Sequence, residues 1–300
     1  MLAICVPTYN QFIGALILEL LEQSRNCNVP IEIIVLDDGS KEDIKVKNQT
    51  NQFVEYIRYI ELPENIGRAA IRNRFLNHTQ QEYLLFLDCD AIIDSKTFIS
   101  NYIEVIHSVQ PSVICGGRIY PDESEITRKL FRWKYGVHRE CRNETSRKKN
   151  TYTSFLTNNF VIKREVLEKI RFDERLKGYG HEDTLYGIAL ERSGIEIAHI
   201  HNPVLNGYIE DNSSFIQQTK EGVANLIRVE RMYSDEYLLK KRVKLLEIGY
   251  KLNFFAPCFR FVYRLLHRLV ERQILKGTLS LIAFDLYKLC YYFKLKKELE

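Results

Sequence analysis

Residues 83–90 read Tyr-Leu-Leu-Phe-Leu-Asp-Cys-Asp, an unbroken apolar run that ends in two carboxylates. A short continuous run of this kind is typical of a strand buried on both faces, as in a parallel sheet. Because side chains alternate along a strand, Asp88 and Asp90 are predicted to point to the same side. Two oxygen ligands on one side suit a hard divalent cation, Mg²⁺ or Mn²⁺, which would in turn hold a diphosphate. The alternative is a strand end followed by an acidic turn that caps the next helix.

The chain before this run alternates between strand-like and helix-like patterns. Strands are predicted at residues 2–6, 31–36 and 53–62, and helical apolar spacing is found at residues 12–21 and 69–77. Strands that alternate with helices are typical of a Rossmann-like α/β fold, in which helices flank a mostly parallel sheet. The sequence therefore predicts that fold class, followed by a helical appendage at the carboxyl terminus.

Polar residues follow three of the predicted strands. They are Thr8-Tyr9-Asn10, Asp37-Asp38 and Asp88-Cys89-Asp90. Open α/β sheets bind ligands at the carboxyl ends of their strands, so these residues are expected to form one site.

Residues 124–152 form a polar and basic stretch between a predicted strand at 113–119 and an apolar run at 155–162. The stretch has no clear helical or strand period. Long segments without regular structure inside a compact domain are usually functional or disordered, so a mobile excursion is predicted here.

A second acidic pair, Glu182 and Asp183, follows a glycine-rich stretch. Residues 176–183 read Leu-Lys-Gly-Tyr-Gly-His-Glu-Asp, and helical apolar spacing continues from Leu185. Glycine permits the left-handed backbone that a tight loop needs. The alternative is purely structural, because the helix dipole favours acids in a first turn by about 0.3–1 kcal/mol each.

The carboxyl-terminal part of the chain is basic. Residues 236–300 hold 14 lysines and arginines against 6 aspartates and glutamates, although the whole chain has a net charge of only +4. Within 260–272 an arginine recurs every fourth position beside apolar residues, which is typical of a basic amphipathic helix. The segment is predicted to meet a membrane surface or another anionic partner. A solvated face, or an apolar face packed on the rest of the chain, remain alternatives. The predicted domains are a globular domain at 1–225 and this helical tail at 226–300.

The amino-acid composition narrows the possible partners and the possible cellular location of the protein. The net charge is too small to indicate nucleic acid as a partner, and 45% hydrophobic with 27% charged residues is ordinary for a globular protein. The seven cysteines form no CxxC pair, which favours reduced, cytoplasmic usage. The first residues lack a signal-peptide pattern, and the longest apolar-rich stretch, 279–293, is too short to span a bilayer.

Five short motifs follow one another along the chain. They are PTYN (Pro7–Asn10), VLDDGS (Val35–Ser40), NIGRAAIRN (Asn65–Asn73), FLDCD (Phe86–Asp90) and GYGHED (Gly178–Asp183). In this order they resemble glycosyltransferase family 2, with its GT-A fold, over about residues 1–221. The resemblance implies an inverting transfer of a sugar from a nucleotide-diphosphate donor, by prevalence a UDP-hexose, to a hydroxyl group of a glycan or lipid-linked acceptor. The type is that of bacterial surface-polysaccharide synthesis.

The resemblance also implies roles for individual residues. The nucleotide would be held by Pro7, Thr8, Tyr9, Asp37, Asp38, Gly67, Arg72 and Asp88. Asp90, with Asp88, would bind the Mg²⁺ or Mn²⁺ ion, a Lewis acid for the departing diphosphate. Asp183 would take the proton of the acceptor hydroxyl, a step worth about 10²–10⁴ in rate, and Glu182 would orient hydroxyl groups. Because inversion needs the base opposite the leaving group, the two acidic pairs are expected to share one cleft.

The resemblance leaves the third metal ligand open. Many relatives place a histidine downstream of the second acidic pair. This chain offers His199 and His201, whereas Asn206 aligns close to that position. Histidine is a common metal ligand, so His201 and His199 are the predicted candidates. His181 is predicted to shape the acceptor pocket.

Other functions remain as alternatives. One is an inactive nucleotide-sugar-binding scaffold of the same fold, against which the intact Asp88, Asp90 and Asp183 argue. Another is a nucleotidyltransferase, which would need a glycine-rich basic loop that residues 7–11 do not supply. A dehydrogenase is excluded because no GxGxxG motif follows the first strand. The enzyme is expected in the cytoplasm, on the inner face of the cell membrane if the tail binds it.

Overall fold

The computed structural model describes residues 1–49, 57–233 and 237–299. Its strands are β1 (Leu2–Thr8), β2 (Ile31–Asp37), β3 (Arg58–Glu61), β4 (Tyr83–Leu87), β5 (Ala91–Ile92), β6 (Val113–Cys115), β7 (Arg118–Ile119), β8 (Asn159–Lys163), β9 (Ile197–His199) and β10 (Val204–Asn206). Its helices are α1 (Gly14–Arg25), α2 (Glu42–Gln49), α3 (Arg68–Arg74), α4 (Phe98–Val109), α5 (Glu125–Lys129), α6 (Phe131–Tyr135), α7 (Glu144–Lys149), α8 (Arg164–Lys169), α9 (Glu182–Arg192), α10 (Asn212–Met232), α11 (Tyr237–Arg242), α12 (Lys244–Lys251), α13 (Ala256–Leu275) and α14 (Leu281–Leu299). Of the predicted third strand, residues 53–56 lie outside the described residues, while 58–61 form β3.

The chain forms two compact units. The first comprises Met1–Pro121, Cys141–Arg175 and Ala189–Tyr208, and the second comprises Asp122–Glu140, Leu176–Ile188 and Ile209–Glu300. The boundary predicted between residues 225 and 226 falls inside α10, which continues to Met232. The change of charge along the chain therefore does not mark a break in secondary structure.

The first unit contains a sheet with the strand order β3-β2-β1-β4-β8-β6-β9. β1 runs parallel to β2 and β4, and β2 runs parallel to β3. β8 runs antiparallel to both of its neighbours, and nothing in its apolar sequence signals that direction. The predicted α/β class with a mostly parallel sheet is confirmed. A smaller sheet of β5, β10 and β7 belongs to the same unit.

β4 is buried, as its sequence predicts. All five side chains from Tyr83 to Leu87 are inaccessible or nearly so. Phe86 stacks on Phe160 of β8 at 5.0 Å and meets Phe75 edge-on at 5.5 Å. The apolar face of α1 belongs to the same core cluster as β4. Burying one large apolar side chain stabilises the fold by about 1.5–3 kcal/mol, so this strand anchors the carboxylates that follow it.

Residues 113–152 differ from the sequence prediction. The predicted strand at 113–119 is broken between β6 and β7, where Gly117 has a φ of 99°. The lack of regular structure predicted at 124–152 is wrong, because α5, α6 and α7 lie within it, and the mobility of the stretch stays a prediction. α5 begins with a capping box in which Ser124 and Thr127 satisfy each other's backbone N–H groups. Helices of five or six residues are too short to show a readable period.

The second unit is helical, and three of its helices meet at a buried polar cluster. Glu230 of α10 accepts hydrogen bonds from Tyr250 of α12 at 2.7 Å and from Tyr292 and Lys296 of α14 at 2.8 and 2.6 Å. Burial raises the pKa of Glu230, but these donors outweigh burial and hold the pKa below its ordinary value. The predicted carboxyl-terminal helices are confirmed. Among the described helices, none has the length and apolarity that crossing a bilayer requires.

Candidate active site

The carboxyl ends of β1, β2 and β4 lie at one edge of the large sheet. The parallel register places Thr8 opposite Asp37, and the Asp38 N–H donates to the Thr8 carbonyl at 2.8 Å. β4 runs parallel to β1, so Asp88 and Asp90 follow the strand at the same edge. The prediction that these three strand ends lie together is confirmed by the register.

Asp37 fastens the loop that follows β2. One carboxylate oxygen accepts the Ser40 N–H at 2.7 Å, and the other accepts the Tyr59 hydroxyl at 2.6 Å. Burial and the Asp37 carboxylate raise the pKa of Tyr59, so the hydroxyl stays a donor. Sequence reasoning missed Tyr59, because only the β2–β3 pairing brings this strand beside Asp37.

Asp38 holds the loop that precedes α3. Its carboxylate accepts the backbone N–H groups of Ile66 at 2.7 Å and Gly67 at 3.1 Å. Burial raises the pKa of Asp38, and the two N–H donors oppose that rise. Gly67 has a φ of 90°, a conformation that glycine adopts without strain. Asp38 and Gly67, both predicted site residues, are therefore brought together.

The end of β1 combines a buried hydroxyl with an exposed ring. Thr8, which follows Pro7, is buried, and among the described residues its Oγ1 has no hydrogen-bond partner. The Tyr9 side chain is 51% exposed. A buried polar atom without a partner costs about 1–3 kcal/mol, which a bound ligand can relieve. An exposed aromatic ring offers a face on which a nucleotide base can stack.

Asp88 is held by a buried arginine. Arg72 Nη2 donates to Asp88 Oδ1 at 3.1 Å, and Nη1 donates to the Arg68 carbonyl at 2.9 Å. Arg72 is fully buried, whereas the Asp88 side chain is 25% exposed. The Arg72 guanidinium thus orients the Asp88 carboxylate and leaves part of it accessible.

The surroundings of Asp90 disfavour the negative charge of its carboxylate. Burial, followed by repulsion from Asp88, raises the pKa of Asp90 from 3.8 to about 6, although Arg118 partly opposes the shift. Burial also raises the pKa of the intervening Cys89 to about 12, so that thiol stays protonated at neutral pH. A divalent cation between the two carboxylates would remove their repulsion and match their oxygen chemistry. The residues present therefore fit Mg²⁺ or Mn²⁺.

The two histidines predicted as metal ligands, His199 and His201, are not grouped with Asp88 and Asp90. His199 is buried, with Nε2 at 2.9 Å from the Thr151 carbonyl and Nδ1 at 3.2 Å from Arg147. His201 is exposed. Across the described ranges, no three His, Cys, Asp or Glu side chains come close enough to hold a metal ion, so neither histidine joins the carboxylate pair.

Asn206 lies on the strand that pairs with the residues directly after Asp90. It pairs with Ala91 in the antiparallel β10–β5 ladder, and the following Gly207 N–H donates to the Asp90 carbonyl at 3.0 Å. A Cβ on Gly207 would lie 2.4 Å from that carbonyl. The side-chain amide of Asn206 donates to the Tyr208 carbonyl at 2.9 Å, and the third metal ligand stays a prediction.

Asn158 is a site residue that sequence reasoning missed. Its carbonyl accepts the Asp88 N–H at 3.1 Å, and its buried side-chain oxygen has no partner among the described residues. The consecutive Asn158 and Asn159 before an apolar strand were the available signal. A buried amide oxygen without a partner is a group that a bound ligand could satisfy.

The second acidic pair opens α9 after a strained loop. Gly178, Gly180 and His181 have φ values of 88°, 94° and 72°. Glu182 is buried, and Asp183 accepts the Thr184 N–H at 2.6 Å. A non-glycine residue with positive φ is uncommon and persists where its surroundings fix it.

α10 supplies those surroundings within the second unit. The buried Asn225 donates to the carbonyls of Gly180 at 2.6 Å and Tyr179 at 3.4 Å. His181 donates to the backbone carbonyl of Gly222. Burial lowers the pKa of His181, so the ring is neutral at pH 7. These contacts fix the backbone that leads directly into Glu182.

A family model named Glycosyl transferase family 2 matches residues 3–171, more than half of the chain. The chain belongs to this family. Residues 3–171 therefore form a domain of this glycosyltransferase family. The motifs read from the sequence at residues 7–10, 35–40, 65–73 and 86–90 all lie within the match.

Relatives of this chain include a chondroitin synthase from Pasteurella multocida, which is 24% identical over 225 residues. That alignment covers 64% of this chain but only 23% of the synthase. The chain thus spans about a quarter of the relative.

Two solved structures share the fold at low identity. A mannosyltransferase from Pyrobaculum calidifontis, in complex with GDP-mannose and Mn²⁺, has a TM-score of 0.59 and 15% identity, covering 99% of this chain and 86% of its own. Glucosyl-3-phosphoglycerate synthase from Mycobacterium tuberculosis, in complex with Mn²⁺ and UDP, has a TM-score of 0.51 and 18% identity, covering 76% and 79%. Both confirm the predicted GT-A type of α/β fold.

Proposed function

We propose that this chain transfers a sugar from a nucleotide-diphosphate donor to a hydroxyl group of a glycan or lipid-linked acceptor. The transfer would invert the configuration at the anomeric carbon of the sugar. A UDP-hexose is the proposed donor, and cell-surface polysaccharide synthesis is the proposed setting. Similarity to a chondroitin synthase supports a glycan acceptor. A fold relative crystallised with UDP and Mn²⁺ supports the nucleotide and the ion.

The pair of Asp88 and Asp90 carries this proposal. Burial and repulsion from Asp88 raise the pKa of Asp90 to about 6, an arrangement that a bound cation would relieve. Perturbed carboxylates at the carboxyl edge of an α/β sheet are typical of functional sites.

The proposed metal and diphosphate would be held by residues already oriented for them. Asp88, fixed by Arg72, and Asp90 would bind Mg²⁺ or Mn²⁺, which acts as a Lewis acid on the departing diphosphate when bound. The unpaired Thr8 hydroxyl would bind the nucleotide, and the exposed Tyr9 ring would stack on its base. Pro7, Asp37, Asp38 and Gly67 would shape that end of the site through the loops they form.

Asp183 is proposed as the catalytic base. The acceptor hydroxyl is a poor nucleophile, and a carboxylate that takes its proton accelerates attack by about 10²–10⁴. Glu182 is proposed to orient hydroxyl groups of the acceptor or the sugar. His181, held neutral by burial, would line the acceptor pocket.

A screen of nucleotide sugars tests the proposal. Release of nucleoside diphosphate should require Mn²⁺ or Mg²⁺ and should disappear in Asp90→Asn. Asp94→Asn is the matched control, because Asp94 is exposed and lies four residues further along the chain. Equal activity of Asp90→Asn and Asp94→Asn would refute the assignment of the metal site.

Two alternatives give different results in the same screen. Metal-dependent nucleotide binding without turnover on any donor would indicate the inactive scaffold. Release of pyrophosphate from a nucleoside triphosphate would indicate a nucleotidyltransferase.

The location of the enzyme stays a prediction. All seven cysteines are free, which agrees with a reducing compartment such as the cytoplasm. Fractionation of cells that express the full chain would place it on the inner face of the membrane or away from it.

A further inference from the structure

Helix α13 has an outward surface that is apolar and basic at once. We call it the α13 outer face; its exposed members on the helix are Phe261, Arg264, Leu265, Arg268, Leu269, Arg272 and Leu275, and the exposed Phe254 and Lys276 flank the two ends of the helix. Phe261 and Leu265 are each 62% exposed and Leu269 is 54% exposed. With about 100° between successive residues of a helix, these positions share one side of α13. Several large apolar residues exposed together mark an interaction surface.

The opposite side of α13 already has its packing partner. Phe259 stacks on Phe293 of α14 at 5.3 Å, and Tyr263 lies 5.4 Å from Tyr291. Ile274 is fully buried in the cluster with α14. The core of the second unit therefore uses a different stripe of α13, and the outer face is left over.

The charged side chains of the α13 outer face are all basic. The one acid in the sequence of α13 is Glu271, which accepts the Lys220 ammonium at 2.8 Å and the Tyr287 hydroxyl at 2.7 Å. Four basic side chains remain among the apolar ones. A partner surface that complements this face would carry negative charge at its boundary with water and be apolar underneath.

We infer that the α13 outer face docks on an anionic lipid bilayer. A helix of 20 residues spans about 30 Å and can lie in the plane of the interface, with phenylalanine and leucine in the acyl boundary and arginines among the headgroups. A symmetric contact between two copies is disfavoured, because it would set the arginines of one face against those of the other. The inference goes beyond the transfer reaction, since it assigns a surface that holds no proposed catalytic residue.

Vesicle sedimentation with the full chain tests this docking. The protein should bind phosphatidylcholine vesicles that contain about 30% phosphatidylglycerol, and should bind pure phosphatidylcholine at least tenfold more weakly. Each basic residue near an anionic surface contributes roughly fivefold in partitioning. Arg264→Gln with Arg268→Gln should therefore lower binding by about 10–30-fold, and raised salt should act in the same direction.

Apolar variants separate insertion from simple charge attraction. Leu265→Ser with Leu269→Ser should lower vesicle binding about tenfold or more, because two leucine side chains no longer enter the interface. The matched control is Val109→Ser with Ile126→Ser, at two exposed apolar positions elsewhere in the chain. The control should bind as the unaltered protein does.

Cys258 offers a readout that does not depend on a substitution. It is exposed on α13, whereas Cys27, Cys89 and Cys141 are half-buried and Cys5, Cys115 and Cys290 are buried. An environment-sensitive fluorophore on Cys258 should shift to shorter wavelength with anionic vesicles. No shift, together with no sedimentation, would overturn the inference.

Other outcomes would identify a different occupant. A dimer that Leu265→Ser with Leu269→Ser dissociates would show that a second copy covers the face. Binding to the soluble polyanion heparin that these serine variants leave unchanged, with no vesicle binding, would show attraction by charge alone. Neither result depends on turnover, and UDP binding in Mn²⁺ should be equal in all variants, so failure of docking is distinguishable from failure of the transfer proposal.

Discussion

Asp88 and Asp90 follow a buried strand, whereas Glu182 and Asp183 open a helix, and the two acidic pairs meet different physical conditions. The first pair is forced together by a sheet that also removes water from it, so the pKa of Asp90 rises to about 6. The second pair lies where backbone N–H groups point, and Asp183 accepts one of them at 2.6 Å. The same residue type thus carries a disfavoured charge at one place and accepts a backbone N–H group at the other.

The largest expected effect separates binding from proton transfer. Asp90→Asn should weaken UDP binding in Mn²⁺ and lower turnover by roughly 10²–10³, because a charge that stabilises the leaving group is lost. Asp183→Asn should lower turnover by about 10²–10⁴ while UDP affinity stays within about twofold. Titration calorimetry and nucleoside-diphosphate release measure the two quantities, with Asp94→Asn as control. Equal loss of UDP binding in both variants would break the division of roles.

Loss of the ion pair between Arg72 and Asp88 should have the next largest effect. Arg72→Met leaves the Asp88 carboxylate without its guanidinium, and removing one partner of a buried pair destabilises by about 3–5 kcal/mol, less here because Asp88 is partly exposed. Arg74→Met, at an exposed position on the same helix, should change the free energy of unfolding by at most about 0.5 kcal/mol. Urea denaturation of both variants measures the difference, and equal values would show that Arg72 does not hold Asp88.

The raised pKa of Asp90 predicts that this carboxylate destabilises the metal-free protein. Because the folded pKa of about 6 exceeds the ordinary 3.8, the folded state prefers the proton, and that stabilisation is lost as pH rises from about 4 through 6. In chelator-treated protein at pH 7, Asp90→Asn should therefore raise the free energy of unfolding by about 1–3 kcal/mol. At pH 4 the two proteins should unfold alike. A gain that is as large at pH 4 as at pH 7 would contradict the electrostatic explanation.

The smallest effect concerns the loop that carries the second pair. Asn225→Asp keeps the side-chain shape but removes the N–H donors to Gly180 and Tyr179, which should cost about 1–2 kcal/mol in unfolding free energy. Hydrogen exchange should rise in residues 176–190, and UDP binding should stay unchanged. Asn253→Asp, exposed in the same unit, is the control. Unaltered exchange in that loop would mean that other contacts fix it.

The elements near the first site were readable because local pattern and burial agree there. The run from Tyr83 to Leu87 became β4 with the predicted ends, since a strand covered on both faces needs only apolar residues. The strand direction of β8 was not readable, because the same apolar residues suit either direction. The helices at 125–129 and 144–149 were missed, since each has fewer than two turns.

Contacts between distant residues escaped sequence reasoning for the same reason. Tyr59 reaches Asp37 only through the β2–β3 register, and Asn225 reaches Gly180 across 45 positions of chain. Asn206 had an alignment signal, yet its place beside Asp90 depends on the pairing of β10 with β5. No local periodicity encodes such pairings.

The sequence by itself determined the apolar strand, its two terminal carboxylates and the family to which their order belongs, because these depend on residue type and spacing along the chain. Only the tertiary structure decided that Arg72 holds Asp88, that His199 is engaged by Thr151 and Arg147, and that one side of α13 stays uncovered. Burial, charge repulsion and hydrogen bonding depend on which groups are neighbours in space, and neighbours in space are set by packing.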